Sequence, residues 1–581
     1  MKSNSSLFSN YSLLLILVLS LFFLYFFKWT GTADNFRVID GDGKDYYSFL
    51  VSAFINHNIS KPDPALSMVV ETPTGQVNMH TTGVALLLLP FFLVSLLFAK
   101  LFGYSVDGLS QPFQIGVSIG ALFYCLLGLF FLRKLLLKNN FEDKIIAAII
   151  FFLFAGTSLL FYTLGAPSMS HVYSFCLITC FLYASNLFFL SGEKKYLFIA
   201  SLILSLIILV RPVNVIIVLF LPFFCNSFKD FFVKIKYVFS SYRQFLPALL
   251  MFFSVLSLQC VVWYAQNGKL FQWTYKGNGF YFTDPSPVKM LFGFDSGLFI
   301  YSPICFLFLI GVVFIFRQSS FKFYISVFFI SFIVYLFSSY WAYNYFDSFG
   351  MRPFVDFFSV FAIFGTFLLR EIRNHLFKYV LYVSFLICAT ISMIYSYQAQ
   401  TGILPMAGMN YEKFKYIFLK TKREYQSCLG GCSDLKPYSL RNANPFFSFT
   451  NNFNDVSKYP KGYFEYKGNE WGVECGLDSL GFKTKLLYAK VKFKRQEIQT
   501  NSSYNGLLVC SVDSKTNASK SYQAFRMNET PAESCCEWKE YDYSFTVAGD
   551  FCPNDHLKIY FWNKEKSFFN VDDFNVEIYK N

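Results

Sequence analysis

Long apolar runs, separated by short polar connections, occupy most of the first 400 residues of the chain. Most of these runs contain enough apolar residues to cross the ~30 Å hydrocarbon core of a bilayer as a helix. The runs cover residues 7–27, 113–132, 143–164, 171–190, 196–210, 213–226, 246–267, 298–316, 322–339, 354–369 and 378–397. This pattern predicts a polytopic α-helical membrane protein with about eleven spans. The first run is interpreted as a retained span, because no small-residue cleavage site follows it.

Basic residues cluster in five of the connections, and the positive-inside rule assigns all five to the cytoplasmic side. An even number of predicted spans separates each cluster from the next, so the assignment is self-consistent. The clusters are Arg133 with Lys134 and Lys138, Lys194 with Lys195, Lys229 with Lys234, Lys236 and Arg243, Arg317 with Lys322, and Arg370 with Arg373 and Lys378.

One further apolar run is GVALLLLPFFLVSLLFA at residues 83–99. If this run crossed the membrane, the positive-inside assignment would place the N-terminus outside. Pro90 interrupts its middle, and proline removes a backbone donor from a helix. We therefore expect a re-entrant or interfacial segment here, with the C-terminus outside. The first outer loop then covers residues 28–112.

After about residue 399 the composition turns polar, and short alternating runs bounded by turn residues predict strands. The domain prediction is a transmembrane domain over 1–398, a linker with an amphipathic helix over 399–444, and an all-β, jelly-roll-like sandwich over 445–581. The predicted strands lie within residues 483–495, 505–514, 541–549, 556–564 and 571–579.

The net charge of +13 does not indicate a nucleic-acid-binding protein. Hydrophobic residues make up 54% of the chain and charged residues 15%, with a mean hydropathy of +0.40. Lys and Arg lie largely in the connections and in the polar C-terminal third, where they serve topology and solvation. We expect a lipid bilayer around most of the chain and no nucleic-acid partner.

Half of the 14 cysteines lie in the polar C-terminal third, where no CxxC pair repeats at zinc spacing. Disulfides formed in an oxidising compartment, with one thiol left over, are the preferred interpretation. The stretch CLGGC predicts a short bridge between Cys428 and Cys432, because its two glycines permit a tight closure. The other five are Cys475, Cys510, Cys535, Cys536 and Cys552.

The stretch VIDGDGKDYYSFL places three carboxylates, Asp40, Asp42 and Asp45, directly after the first span. A charged, Gly-containing stretch can simply cap a helix and stay hydrated. A carboxylate at a membrane face can also act as a general base on an acceptor, or hold a divalent cation against a phosphate. The next residues, Tyr46 and Tyr47, and His80 in NMHTTG are candidates for binding substrate.

Two further candidates lie at predicted outer ends of spans. His171 in APSMSHVYSF is either a satisfied interfacial histidine or a residue lining a site. Arg211 in RPVN, with Asn214, lies between apolar runs, where an arginine costs at least ~2.5 kcal/mol unless it faces a polar cavity and an anion. A phosphate is the expected anion.

A last cluster, SSYWAYNYFDSFGMRPFVDFFSV, is either an interfacial aromatic belt or part of a site. Arg352 and Asp356 have i,i+4 spacing, and a charged pair entering a membrane usually lines a site or locks two helices. Aromatic rings beside such a pair supply faces on which sugars stack. The remaining candidate binding residues of this cluster are Trp341, Asn344 and Asp347.

These motifs together resemble the GT-C superfamily of integral-membrane glycosyltransferases, and more narrowly bacterial enzymes related to families GT39 and GT83. The resemblance rests on DGKDYYSFL, TTGVALLLLPFF, SHVYSF, RPVN, GLFIYSP and FGMRPFVDFFSV, over roughly residues 1–400. Many relatives pair adjacent acids in the first loop, whereas glycine separates Asp40 from Asp42 here. The choice among the three aspartates therefore stays open.

The resemblance implies a polyprenyl-phosphate-linked sugar as donor and no nucleotide-sugar motif. It implies that Asp42 is the catalytic or metal-associated carboxylate, with Asp40 and Asp42 as candidate ligands of a divalent cation, Mg²⁺ or Mn²⁺. Arg211 would bind the lipid phosphate, and His80 and His171 would line the cavity. The final strands resemble jelly-roll carbohydrate-binding modules, for which a structural role is the alternative.

We therefore expect a glycosyltransferase that moves a sugar to a glycan, lipid or protein acceptor on the outer face of the bacterial inner membrane. A transporter or flippase of lipid-linked glycan is the alternative from another class, and it should show charges near mid-span and repeated halves. The sequence has no such repeat. A polysaccharide polymerase or ligase is a third possibility, differing in the acceptor.

Overall fold

The computed structural model describes residues 7–25, 38–240, 242–275, 278–346, 348–431, 434–498, 506–516, 518–531 and 535–580. Helices dominate the chain as far as Thr401. They are α1 (Leu7–Leu24), α2 (Asp42–Phe54), α3 (Gly83–Phe102), α4 (Gln111–Lys138), α5 (Asp143–Ala155), α6 (Leu159–Leu164), α7 (His171–Ser191), α8 (Lys194–Val210), α9 (Phe228–Ser240), α10 (Tyr242–Asn267), α11 (Pro287–Phe292), α12 (Leu298–Tyr301), α13 (Ile304–Phe316), α14 (Ser320–Ser338), α15 (Phe358–Glu371) and α16 (His375–Thr401). Two 3₁₀ helices cover Pro212–Phe224 and Arg352–Phe357.

Within the described residues, eight helices are long and apolar enough to cross a membrane, or nine if the pair Pro212–Phe224 and Phe228–Phe239, bent by 115°, is one span. The polytopic helical class predicted from sequence is confirmed. The eight cover Leu7–Leu24, Gly83–Phe102, Gln111–Lys138, His171–Ser191, Phe245–Asn267, Ser320–Ser338, Arg352–Glu371 and His375–Thr401.

The remaining predicted spans are shorter or broken in the structure, and local sequence explains the breaks. Gly156 separates α5 from α6, and Pro303 separates α12 from α13. Arg211 is extended (φ −149°) because the following residue, Pro212, disfavours the helical region before it, so α8 ends at Val210. The eleven runs predicted from sequence correspond to segments that we call passes, of which seven are among the eight spanning helices of the described residues. The passes are α1, α4, α5 with α6, α7, α8, Pro212–Phe224, α10, α12 with α13, α14, Arg352–Glu371 and α16.

Helix α3 is long and apolar enough to span a membrane. The chain before it, at Val38 and Ile39, nevertheless lies next to the first turn of α4, which follows it. The backbone N–H groups of Val38 and Ile39 donate to Oε1 of Gln114, at 2.9 and 3.2 Å, in the first turn of α4. Between those two points, α3 is the single helix of spanning length. If α3 crossed the membrane once, these two points would lie on opposite sides of it. Their contact therefore supports an α3 that does not cross.

Close backbone contacts hold the passes together. A Cβ placed on Gly311 of α13 would lie 1.9 Å from the carbonyl oxygen of Phe364 in α15, so only glycine permits this approach. At the opposite end from the candidate site, Nε of Arg133 donates to Oγ of Ser9 at 2.6 Å, and the N–H of Ser9 donates to Asp143 at 3.2 Å. These contacts join α1, α4 and α5.

A hairpin of β1 (Val69–Thr72) and β2 (Gly75–Asn78) precedes α3, and helix α17 (Tyr411–Ile417) lies in the linker after α16. The linker contacts the loop between α10 and α11, where Arg441 pairs with Asp284 at 3.0 Å. The C-terminal third therefore sits at the end of the helical bundle that carries the first-loop aspartates, which we call the site end.

Two antiparallel sheets form the C-terminal sandwich, which confirms the all-β prediction. One sheet has the order β5-β10-β7-β8, and the other has the order β3-β11-β6-β9 with β4 also paired to β11. Inward residues such as Phe493, Phe561 and Phe574 are no more than 1% exposed. The strands are β3 (Phe447–Asn451), β4 (Phe464–Lys467), β5 (Glu474–Leu477), β6 (Thr484–Glu497), β7 (Leu507–Asp513), β8 (Ser519–Arg526), β9 (Trp538–Phe551), β10 (His556–Trp562) and β11 (Phe568–Lys580).

The expectation of disulfides across the C-terminal third is wrong for five cysteines, which are free thiols: Cys475, Cys510, Cys535, Cys536 and Cys552. Cys475 and Cys510 both pair in register with Ile559, from opposite sides of β10. Two strand spacings of ~4.8 Å therefore separate them, whereas a disulfide needs Cα atoms within ~7 Å. Cys428 is also a free thiol, which contradicts its predicted bridge to Cys432; Cys432 itself lies outside the described residues.

The predicted topology is testable by labelling in intact spheroplasts, in a background where the exposed Cys535, Cys536 and Cys552 are serine. We expect Glu565→Cys, on the exposed β10–β11 turn, to react with an impermeant maleimide before the membrane is broken. Arg373→Cys, between α15 and α16 at the opposite end, should react only afterwards. The reverse pattern would invert the topology.

Candidate active site

Asp42 is the first residue of α2 and faces an arginine from a distant segment. Gly41 before it has φ +55°, a conformation that favours glycine, and this turn starts the helix. Nη1 of Arg352 lies 2.9 Å from Oδ2 of Asp42, with the side chains 16% and 27% exposed. The pair is thus partly buried and still reachable from solvent.

The surroundings of Asp42 keep it ionised. Burial is the largest single effect and raises the pKa of its carboxyl group, but the surrounding groups, led by the guanidinium of Arg352, together outweigh it, and the pKa lies below its usual value. Weaker contributions in the lowering direction come from His80, His171 and Arg211. The site therefore gathers cationic and polarisable groups around one carboxylate.

Asp45 is buried, and its partners belong to the protein. Its Oδ2 lies 2.6 Å from Nδ1 of His80, and its Oδ1 accepts a hydrogen bond from the N–H of Met68. The side-chain amide of Asn78 donates to its carbonyl at 3.1 Å. Asp45 therefore fixes the loop and orients His80, whose ring packs 4.7 Å from that of Tyr46.

Asp40 and Tyr47 point away from this centre. Asp40 is 68% exposed and pairs with Lys44 at 2.6 Å on the protein surface. The hydroxyl of Tyr47 donates to the carbonyl of Gly108 at 2.7 Å, and its ring packs against Phe92. Asp42 differs from both, because it combines partial exposure with an arginine partner from a distant segment.

A buried carboxylate, Asp356, organises the second half of the site. Its Oδ1 lies 2.8 Å from Nδ1 of His171, and its Oδ2 accepts from the amide of Asn214 at 2.8 Å. Nη1 of Arg211 lies 3.3 Å from the same Oδ2. Asn214 also donates to Ser174 at 3.0 Å. Three passes and the turn carrying Arg211 meet at this carboxylate.

His171 has two alternative partners at one ring nitrogen. Nη1 of Arg211 lies 2.9 Å from the same Nδ1 that contacts Asp356. Because a guanidinium only donates, Nδ1 accepts from Arg211 when it carries no proton and donates to Asp356 when it does. Arg211 is 17% exposed, so part of its fork remains open toward the site.

The i,i+4 interpretation of Arg352 and Asp356 is corrected by the structure. These residues lie in a 3₁₀ helix, Arg352–Phe357, where i and i+3 eclipse one another and i+4 points elsewhere. Arg352 pairs with Asp42, and Asp356 pairs with His171 and Arg211. The two residues therefore stabilise different halves of the site.

Trp341 and Asn344 shape the loop before Arg352. The backbone N–H of Trp341 donates to the carbonyl of Gly279 at 3.0 Å, and its ring packs against Phe346. Oδ1 of Asn344 accepts from the N–H of Phe346 at 3.3 Å. These contacts lie within the outer loops rather than at Asp42. Asp347 lies outside the described residues.

Three tyrosines lie at the site, of which Tyr345 belongs to the predicted aromatic cluster and Tyr275 and Tyr162 do not. The ring of Tyr275 lies 6.1 Å from His80, and burial raises its pKa to about 12, with Arg211 opposing the shift. Tyr345 has φ +56° and lies within electrostatic range of Arg211. Tyr162 packs 4.9 Å from His171. Among 39 tyrosines, no spacing marks Tyr275 and Tyr162 in the sequence.

The donor set does not fit a divalent cation. Within the described ranges, no group of three or more His, Cys, Asp or Glu side chains is suited to a metal ion. Asp42 faces Arg352 and Asp40 faces Lys44, so each candidate ligand already has a cationic partner.

Comparison with solved structures finds similar chains, one of which is an arabinosyltransferase. The arabinosyltransferase EmbB from Mycobacterium smegmatis aligns over 95% of this chain and 65% of its own, at 12% identity and a TM-score of 0.32. The chain thus spans slightly less than two thirds of that protein's length. No protein-family model matches the sequence. No curated protein matches it either.

The contacts of buried Asp356 predict that its loss destabilises the protein more than the loss of exposed Asp40. Asp356→Ala leaves Arg211 and His171 without their shared carboxylate, and removing one partner of a buried pair costs about 3–5 kcal/mol in the free energy of unfolding. Asp40→Ala, at an exposed pair, should cost less than about 1 kcal/mol. Thermal unfolding in detergent checks this, and equal shifts would contradict the network.

Proposed function

We propose that this protein is a membrane glycosyltransferase that moves a sugar from a polyprenyl-phosphate carrier to an acceptor on the outer face of the bacterial inner membrane. One observation carries the proposal: an ionised, partly exposed carboxylate, Asp42, lies within electrostatic range of two arginines, Arg211 and Arg352, at one end of a helical bundle. A base and an anion-binding pair are the groups that this transfer requires.

In the proposed reaction, Asp42 accepts the proton of an acceptor hydroxyl as its oxygen attacks the anomeric carbon of the donor sugar. The bond between that carbon and the phosphate oxygen breaks, and the polyprenyl phosphate leaves with the bonding electron pair. Arg211 stabilises the charge that develops on this leaving group, because its planar fork matches phosphate oxygens. Atoms and charge balance without any further reactant.

Arg352 has two roles in this scheme. Before the donor binds, it neutralises Asp42 at 2.9 Å. A donor phosphate competes for the same guanidinium, so its arrival releases the carboxylate toward the acceptor. In this scheme the carboxylate of Asp42 becomes available as a base when the donor is bound, and it stays paired with Arg352 when the donor is absent.

Asp45 and Asp356 hold the neighbouring side chains of the proposed site in place. Asp45 holds His80 at 2.6 Å, and His80 packs on Tyr46, so the face of α2 next to Asp42 is fixed. Asp356 holds Arg211 and His171 from the other side. These contacts are intramolecular, and we assign Asp45 and Asp356 to positioning rather than to catalysis.

We further propose that the sandwich binds a glycan. On β10, Lys558, Tyr560 and Trp562 face outward while the residues between them are buried. Trp471 is 54% exposed and stacks on Trp562 with the ring planes 7° apart and the centroids 5.8 Å apart. A flat aromatic surface with polar neighbours suits the apolar face of a sugar ring.

A transporter of lipid-linked glycan is the second candidate function, because it also needs arginines within a membrane. Its charges should lie along a path between the two faces. Here the cationic and anionic residues around Asp42 and Asp356 gather at one end of the passes, which favours transfer over translocation. A polymerase or ligase shares the proposed chemistry and differs in its acceptor.

Asp42→Asn keeps the size of the side chain and removes its charge, so it tests the proposed base. We expect transfer from a polyprenyl-phosphate sugar in liposomes to fall about 10²–10⁴-fold, the usual cost of losing a general base. Asp40→Asn is the matched control and should stay near wild type. Wild-type turnover in the triple Asp40/Asp42/Asp45→Asn variant would remove the catalytic proposal and favour the transporter.

The pH dependence of the reaction tests the Asp42–Arg352 pair. Arg352 lowers the pKa of Asp42 and burial raises it, so Arg352→Gln leaves burial less opposed and the pKa rises. The base is then protonated at higher pH, and the acid limb of the kcat/KM profile should move upward. Lys44→Gln is the control. An unmoved acid limb in Arg352→Gln would contradict the assignment.

The aromatic surface of the sandwich gives a binding prediction. Trp471→Ala removes its most exposed ring, and we expect affinity for neutral oligosaccharides on a glycan array to fall about tenfold. Trp538→Ala, an exposed tryptophan on the other sheet, is the control. Identical binding by both variants and wild type would count against a glycan-binding module.

A further inference from the structure

A cavity of about 650 Å³ lies between the loop after α10 and the linker that leads to the sandwich. Phe280, Tyr281 and Phe282 line it from the loop, and Tyr438, Arg441 and Asn442 line it from the linker. We propose that this cavity is a subsite for a neutral saccharide, namely the acceptor's sugar units that lie beyond the reacting one. The proposal rests on the proposed glycosyl transfer.

The chemistry of the cavity suits an uncharged sugar. The rings of Tyr281 and Tyr438 are stacked at 5.1 Å, and the guanidinium of Arg441 lies 3.6 Å over Tyr281. Arg441 also pairs with Asp284 at 3.0 Å, so its charge is compensated within the protein. The stack of Tyr438, Tyr281 and Arg441 forms a rigid wall. The tyrosine hydroxyls, the amide of Asn442 and the exposed parts of Phe280 and Phe282 remain for the ligand. A phosphate would instead require uncompensated cationic groups.

The cavity lies close to the candidate active site. Its loop wall pairs with the segment before Arg352 through a β-bridge between Phe280 and Tyr340. Tyr340 stacks on Tyr345 at 5.3 Å, and Tyr345 lies within electrostatic range of Arg211. Tyr340 and Tyr345 therefore connect the loop wall of the cavity to the surroundings of the arginine that we assign to the donor phosphate.

Gly279 lets the two walls meet. A Cβ at this position would lie 2.6 Å from the ring of Tyr438, so even alanine would push the linker away from the loop. The glycine gives a variant that alters the cavity without changing any lining side chain.

The test uses the purified full-length protein and neutral hexose and pentose trisaccharides, each carrying a diazirine. We expect photolabel in peptides covering residues 279–284 and 437–443, displaced by untagged trisaccharide. Tyr281→Ala and Gly279→Ala should reduce labelling about tenfold, and Tyr281→Phe should retain it because the ring stays. Tyr379→Ala, at a 68% exposed tyrosine in the first turns of α16, is the control and should label as wild type.

Equal labelling of wild type and the Tyr281→Ala and Gly279→Ala variants would overturn the subsite. Labelling of these peptides by a photoreactive phospholipid in place of the saccharides would also overturn it, because the cavity would then be a headgroup site. Consumption of a polyprenyl-phosphate sugar is measured in the same preparations. Its absence in wild type beside saccharide labelling would overturn the proposed transfer and leave the saccharide site supported.

Discussion

The pairing of Asp356 with Arg211 and His171 is the constraint on which the site depends. Placing a carboxylate with 0% exposure in an apolar bundle is costly unless cationic and donor groups surround it. It draws the turn after α8, the start of α7 and the 3₁₀ helix before α15 to one point. Arg211 is thereby held in a region where an unpaired arginine would be costly.

Local backbone rules put the two arginines where they are. Arg211 and Arg352 each stand directly before a proline, Pro212 and Pro353, near the start of a 3₁₀ helix. A residue before proline is disfavoured in the α region, so α8 stops and the chain turns at Arg211. Both arginines consequently lie at breaks in apolar passes, where a cationic head can face a shared polar space.

Much of the architecture follows from sequence because it depends on local patterns. Apolar length and basic connections give the passes, and period-two alternation gives strands such as β6 and β10. The three carboxylates after the first span and Arg211 could be singled out because charged residues at those places are unusual, whereas the preference for Asp42 came only from the family resemblance. Their partners could not be derived, because the pairing depends on which passes are neighbours in the bundle.

Other sequence predictions differ from the structure for similar reasons. The Arg352–Asp356 spacing implied an α-helix, whereas a 3₁₀ helix turns the two side chains apart. Asp45 looked equivalent to Asp42 in sequence, and only the contact with His80 separates a positioning carboxylate from an accessible one. The free thiols Cys475 and Cys510 lie two strands apart, a fact of sheet order that cysteine spacing does not encode.

A cryo-EM structure of the protein with polyprenyl phosphate bound tests the central claim most directly, because it locates the anion relative to both arginines. We predict phosphate oxygens within hydrogen-bond distance of Arg211, with Arg352 turned from Asp42 toward the phosphate. A phosphate bound away from both arginines, with the Asp42–Arg352 pair intact, would contradict the account.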